Sequence, residues 1–194
     1  MDDGLERCWW AAGERPDPVM QAYHDEGWGV PVDGDAALFE RLALEGFQAG
    51  LSWQTILNKR AAFREAFRDF EPAVVAAFGE DDRARLLADA GIVRNRAKVD
   101  ATIGNAAAAL GLIEEHGSLA AYLARVIPPP PRRLPPDAVP GTIPATTPDS
   151  DRLSRDLARR GFRFVGSTIV YAFMQSVGLV DDHLPRCFRY AADG

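Results

Sequence analysis

Apolar residues recur along this chain at helical spacing, and most apolar stripes are bounded by a capping residue or a glycine. Asp35 can cap a segment in which Leu38, Leu42, Leu44 and Phe47 share a face, closing near Gly46 or Gly50. Ser52 opens another, with Trp53, Ile56, Leu57, Phe63 and Phe67 along one side. Glu71-Pro72 begins a shorter helix, and Asp81 or Asp82 begins one that carries Leu86 and Leu87 and stops at Gly91. A long alanine-rich helix is predicted from about Arg94 to Glu115, punctuated by His116-Gly117; Ser118 then caps an amphipathic piece through Val126. Thr147-Pro148 reads as a cap and first-turn proline for a helix with Leu153 and Leu157, ended by Gly161. A last helix resumes after Gly166 with Ile169, Val170, Phe173, Met174 and Val177. No segment alternates apolar and polar residues as a strand would, and no repeat of solenoid length is present. The expected class is all-α.

One stretch breaks the pattern. Residues 128–148 hold more than half of the chain's 14 prolines. Proline lacks an amide hydrogen and clashes with helical geometry, so an extended, rigid surface connector is expected there. With 194 residues, the chain is long enough to bury a real core, and a single compact unit over 1–194 is expected.

Composition narrows the class of protein. Hydrophobic residues make up 47% and charged residues 26%, ordinary values for a globular protein in water. No apolar run approaches the roughly 20 residues needed to span a bilayer. The start, Met1-Asp2-Asp3-Gly4, is acidic and lacks the apolar centre of a secretory signal. A cytoplasmic, reducing compartment is therefore expected. A net charge of −6 argues against a protein that simply coats nucleic acid, but it leaves room for a local basic face. Arg152, Arg155, Arg159, Arg160 and Arg163 crowd one stretch with Asp156 as the only acid among them, and Arg94, Arg96 and Lys98 form a second cluster. Each is either a solvated helix face or a surface for an anionic partner.

Three constellations carry candidate chemistry. The two cysteines, Cys8 and Cys187, stand near opposite ends of the chain, each with a histidine at ligand-like spacing: Cys8 before His24, and His183 four residues before Cys187. Two thiolates and two imidazoles suit a closed tetrahedral zinc site that would clasp the terminal segments together. A Cys8–Cys187 disulfide, which a reducing compartment disfavours, or two inert thiols with unrelated histidines are the alternatives. Second, helix, Gly161-Phe162-Arg163-Phe164-Val165-Gly166-Ser167-Thr168, helix reads as a helix–hairpin–helix. Its glycines let the backbone turn tightly, and the unpaired amides opening the second helix can hold a DNA phosphate without reading sequence. Gly161, Gly166, Ser167 and Thr168 are the candidate backbone contacts. Ala90-Gly91-Ile92-Val93-Arg94 is a second glycine-marked junction with a basic start. Third, all four tryptophans fall in the first third of the chain, and Glu45 lies inside an otherwise apolar run. A carboxylate there is costly unless bonded, so it pairs with an arginine or serves a ligand.

The segments Glu6-Arg7-Cys8-x-Trp10, Tyr23-His24-Asp25-x-x-Trp28-Gly29-Val30-Pro31, Leu44-Glu45-Gly46-x-Gln48-Ala49-Gly50-Leu51-Ser52-Trp53, Asp89-Ala90-Gly91-Ile92, Arg160-Gly161-Phe162-x-Phe164-Val165-Gly166 and Val180-x-Asp182-His183 resemble, in order, those of the 3-methyladenine DNA glycosylase I family. The six together span nearly the whole chain; the proline-rich connector is the poorest match. The resemblance implies a monofunctional base-excision enzyme of the helix–hairpin–helix superfamily, a monomer acting on double-stranded DNA that carries alkylated bases. It implies a structural zinc on Cys8, His24, His183 and Cys187. It puts Tyr23, Glu45, Trp10 and Trp53 at the base-pocket positions, with Glu45 accepting from the amino edge of 3-methyladenine, Tyr23 orienting the base and the tryptophans stacking on it. Lyase-active relatives in the superfamily carry a lysine just after the second hairpin glycine; Ser167-Thr168 stand there instead, so strand cleavage is not expected. Asp181 falls at the superfamily's aspartate position, where this family often has asparagine. It either stabilises an oxocarbenium-like sugar or positions water, or it is a helix-end polar residue without a catalytic role. Besides the glycosylase, two other functions fit parts of the sequence: a damaged-DNA reader without hydrolysis, and a zinc-stabilised helical interaction module that uses the proline tract.

Overall fold

The computed structural model describes residues 4–13, 16–129 and 131–190; the acidic start at positions 1–3 lies outside them. Ten α-helices are formed among the described residues: α1 (Pro18–Glu26), α2 (Asp35–Gln48), α3 (Trp53–Asn58), α4 (Arg60–Ala66), α5 (Pro72–Ala76), α6 (Glu80–Ala88), α7 (Arg96–His116), α8 (Leu119–Val126), α9 (Pro148–Arg159) and α10 (Ser167–Ser176). The class is helical, as the periodicity predicts. Helix α2 is the axis of the molecule. Every residue from Leu38 to Phe47 is buried, and α3, α7, α8 and α10 pack around it. A second, smaller apolar cluster of Cys8, Tyr23, Trp28, Leu57 and Cys187 joins the two ends of the chain.

Local chemistry explains most element ends. The Asn95 side chain accepts the Lys98 amide at 3.1 Å and starts α7 two residues later than the pattern suggests. Gly117, at φ +87°, closes it by donating to Ile113 O. The helix expected to run from Ser52 to Phe67 is two helices, α3 and α4, with Lys59 as the joint. Arg68, Asp69 and Phe70 follow in a left-handed turn at φ 53°, 52° and 58°. Left-handed residues with a Cβ cost about 1–2 kcal/mol each. Phe70 offsets this by burying its ring completely, stacked on Phe67 at 5.2 Å. Helix α1, which the apolar pattern does not announce, has its own signal: Asp17 caps the Val19 and Met20 amides, and Pro18 occupies the first turn.

The proline-rich connector is tied down rather than free. Arg132 and Arg133 pair in parallel with Val180 and Asp181, a two-residue bridge in a chain whose pattern predicts no strand. Leu134 is buried, and its amide donates to Asp181 O at 3.3 Å. A 3-10 turn at Pro140–Thr142 then directs Ile143, Pro144 and Ala145 into the wall of a cavity lined by tryptophans.

Where the loop after α1 meets the end of α10, backbones touch. Gly178 sits at φ +75°, and a Cβ there would lie 2.8 Å from Gly29 O. Gly178→Ala is expected to lower the unfolding free energy by about 2 kcal/mol or more in urea melts. Gly104→Ala, on an exposed and open face of α7, is expected to raise it by about 0.5–1 kcal/mol.

Candidate functional site

Cavity and clasp share one wall. On α1, Tyr23 faces a cavity of about 410 Å³ while the next residue, His24, faces the cysteines. A volume of this size lies in the range of small-ligand sites.

The cysteine and histidine cluster is complete and fully buried. One ligand atom from each of Cys8, His24, His183 and Cys187 lies within 4.8 Å of the other three. His24 Nε2 is 3.3 Å from Cys187 Sγ, and His183 Nδ1 is 3.4 Å from the same sulfur and 3.7 Å from Cys8 Sγ. The outer nitrogen of each ring is also committed. His24 Nδ1 meets Asp25 Oδ1 at 2.8 Å, and Arg7 holds that carboxylate through Nε and Nη2. His183 Nε2 meets Trp28 O at 3.3 Å. These partners fix the tautomers so that both inner nitrogens present lone pairs, as a metal requires. The cysteines are free thiols, so the disulfide reading does not describe them. The bond to Cys187 and burial push the Cys8 thiol up. Cys187, which accepts the hydrogen bond from the Cys8 thiol, is pushed down. Two sulfurs and two aligned nitrogens, buried together, are a donor set that fits a tetrahedral dication.

The cavity is built from aromatic faces around one carboxyl group. Trp10, Tyr23, Trp28, Glu45 and Trp53 line it, with Gln48 from α2 and Thr168, Tyr171 and Gln175 from α10. Tyr23 and Trp53 rings lie 5.3 Å apart and Trp10 and Trp28 rings 5.3 Å apart, so the wall is one continuous aromatic surface. Glu45 is 4% exposed. Among the described residues no hydrogen-bond donor reaches its carboxyl group, and burial, opposed only by the charge of Arg41, pushes its pKa up to about 8. Thus the arginine that could have neutralised it does not bond to it. Trp53 Nε1 is also buried without a partner. The tryptophan spacing gives no hint of that donor, which only the packing reveals.

Helix α10 completes the cavity. Its Tyr171 and Gln175 are held by Asp182, which is buried and accepts from the Tyr171 hydroxyl, from Gln175 at 2.8 Å and from Arg132 at 3.0 Å. Asp181 is elsewhere. It pairs with Arg133 at 3.2 Å, accepts the His183 amide at 3.2 Å and is not among the cavity-lining residues. The structure therefore gives Asp182, not Asp181, the contact with the cavity wall.

The hairpin between α9 and α10 has the expected form. Gly161 turns at φ +93°, and Phe164, also left-handed, packs against Gly46, one residue from Glu45. Asn105 on α7 clamps the hairpin through both amide groups, donating to Arg163 O at 2.9 Å and accepting the Arg163 amide at 2.7 Å. Periodicity does not single this residue out. The Ser167 hydroxyl turns inward to Asp151 and Ser150, so of Ser167 only the backbone amide is left for a partner, and Thr168 belongs to the cavity lining. Gly161 and Gly166 are exposed.

Half of the basic residues singled out by sequence are otherwise engaged. Lys98 is buried and caps the end of α2, donating to Phe47 O at 2.8 Å and Ala49 O at 2.6 Å. Arg152 pairs with Asp149, Arg159 with Asp156, and Arg160 with both Asp156 and Glu115. Arg94, Arg96, Arg155 and Arg163 are solvent-facing. No helix among the described residues is long and apolar enough to cross a membrane.

Comparison with known proteins agrees with this architecture. Residues 10–190 match the methyladenine glycosylase family. DNA-3-methyladenine glycosylase 1 of Escherichia coli K12 is 45% identical over 186 residues, 96% of this chain and 97% of that protein. The corresponding glycosylase of Haemophilus influenzae is 40% identical over 93% of this chain and 96% of its own length. A solved structure of 3-methyladenine DNA glycosylase I from Staphylococcus aureus, determined to explain 3-methyladenine recognition, superimposes with a TM-score of 0.89 at 36% identity, over 95% of this chain and 98% of that one. From its aromatic cavity to its hairpin, the chain belongs to the methyladenine glycosylase family.

Proposed function

We propose that this protein is a monofunctional glycosylase that flips 3-methyladenine out of alkylated double-stranded DNA and hydrolyses its N-glycosidic bond. The observation that carries this reading is Glu45, a buried carboxyl group without a hydrogen-bond partner in an aromatic cavity. Methylation at N3 leaves the adenine cationic. When the bond from the sugar to N9 breaks, its electron pair neutralises the base; water adds to C1′ and gives up a proton, leaving free 3-methyladenine and an abasic site. Little acid catalysis is needed, so the protein's task is extrusion and discrimination, at a few kcal/mol of unstacking. Glu45 accepts from the amino edge of the base and favours a cation over neutral adenine. Tyr23 orients the base, and Trp10 and Trp53 present π-faces, worth up to about 2 kcal/mol for a desolvated cation. The amides of Gly166, Ser167 and Thr168 at the start of α10 hold the phosphate backbone, with Gly161 allowing its close approach.

The metal assigned to Cys8, His24, His183 and Cys187 is zinc. Four protein ligands leave no open position, which supports a structural role.

Methylated DNA incubated with the metal-loaded protein is expected to release 3-methyladenine by chromatography, with strands cut only after alkali. No release from folded, metal-loaded protein would leave a damage-binding role. With Ser167-Thr168 in place of a lysine, no Schiff base forms, and borohydride should trap no protein–DNA adduct. Asp181→Asn is expected to leave the excision rate within about twofold, because the ion pair with Arg133 lies away from the cavity.

A further inference from the structure

One buried charge has no part in the mechanism above. Arg41 stands one helical turn before Glu45 on α2, is only 7% exposed, and its Nη1 is buried without a hydrogen-bond partner. An isolated guanidinium in such a place is costly unless it acts on something nearby. The adjacent acid on its own helix, Glu40, is taken by Arg60 from α4 at 2.7 and 3.2 Å. That leaves Glu45 as an acid that no donor reaches and Arg41 as a cation with one unpartnered nitrogen, Nη1. At i and i+4 the two would ordinarily pair. Instead the Arg41 guanidinium carbon lies 5.4 Å from the centroid of the Tyr23 ring, held over the aromatic face.

From this juxtaposition we propose that Arg41 is a positioning residue for base recognition: pinned on Tyr23, it eases ionisation of the buried Glu45 by charge without occupying the carboxylate's acceptor oxygens. A direct ion pair would consume the atoms that must meet the base. With no cation at all, a buried acid would stay protonated and lose much of its preference for a cationic ligand. The inference rests on the glycosylase reading for its meaning, but the charge relation between Arg41 and Glu45 is a property of the chain alone. The groups facing this pair are Tyr23 from α1, Glu40 on α2 and Arg60 from α4. Tyr171 of α10 lines the same cavity, but its hydroxyl is committed to Asp182.

Burial raises the Glu45 carboxyl to about 8, and Arg41 is the one charge holding it lower. Removing Arg41 therefore moves the acid limb of activity to higher pH. Two measurements test this on the metal-loaded, full-length protein. Carbon-13 NMR of the Glu45 carboxyl, with Glu45→Gln to assign the signal, should give a titration midpoint about one pH unit higher in Arg41→Met, with Arg41→Lys returning most of the way. Excision of 3-methyladenine against pH should shift in parallel, a loss of up to about tenfold on the acid side that recovers above the new midpoint. A purely structural arginine would lower the amount of folded protein and leave both midpoints unmoved, and that result overturns the proposal. So does tighter base binding by Arg41→Met at every pH, which would make Arg41 a repulsive charge. If wild-type protein releases no 3-methyladenine, the glycosylase reading fails, while the NMR midpoint still decides the relation of Arg41 to Glu45.

Discussion

Replacing Glu45 by glutamine is expected to give a protein that is harder to unfold and unable to excise its base. An acid raised from 4.5 to about 8 by burial contributes stability that is fully present below pH 4.5 and lost as pH rises through 8. Glutamine keeps the shape and has no charge to bury. At pH 5 the two proteins should therefore melt nearly together. At pH 8 the variant should be more stable by about 2–3 kcal/mol, or roughly 5 °C or more in Tm for a chain of this size. Excision should fall at least a hundredfold in the same variant, the usual loss when a site's principal electrostatic partner is removed. Scanning calorimetry at the two pH values, set beside a base-release assay, checks both halves. Equal melting temperatures at pH 8 would show that the carboxyl group has a partner in solution.

The second large effect concerns the clasp. Each of its ligands is at or near zero exposure, and they join a segment starting near Leu5 to the last described residues. A bound dication here is folding free energy, because the unfolded chain offers no such site. Cys8→Ala or Cys187→Ala should bind less than one metal ion per chain by mass spectrometry of the digested protein, and should melt about 10 °C or more below the parent. Activity should fall together with stability. Tyr23 and His24 are neighbours on α1, and Trp10 and Trp28 pack against the His24 ring at 5.1 and 6.4 Å as well as lining the cavity. Slackening the clasp therefore slackens the aromatic wall. Full metal-free activity in Cys8→Ala would separate the two.

Most of this architecture is written in the sequence as caps and apolar stripes. Thr147, Ser118 and Gly117 mark helix ends where the physics of capping puts them, whereas Asp35 does not cap α2: it is the first helical residue after Gly34, and its carboxylate accepts the Leu119 amide of α8. The unread parts have identifiable causes. The break at Lys59 leaves no mark in the apolar stripe, which runs on through Phe63 and Phe67; the Lys59 side chain is drawn instead to the distant carbonyls of Ala90 and Gly91. Asn105 is one polar residue inside an alanine-rich helix, and nothing local ties it to a hairpin 58 positions away. The tie between the connector and residues 180–181 is a long-range bridge with no alternating pattern to reveal it. Lys98 illustrates the reverse error: grouped with Arg94 and Arg96 by charge, it is a buried cap on the far end of α2. For the cavity, the sequence supplied the residues and the resemblance their grouping. The lone state of Glu45 and the position of Arg41 required three dimensions.

The burial of the clasp has a chemical consequence of its own. Thiolates are the most nucleophilic side chains a protein presents, and they react with the same electrophiles that methylate DNA. A protein of this family works where such reagents are present. Cys8 and Cys187 are 0% and 3% exposed, and the chain has no other sulfur nucleophile of that kind. Walled in by two imidazoles and two indoles, they are the last groups a diffusing methyl donor would reach. The same packing that orders the aromatic wall thus shields the protein from the reagents that create its substrate.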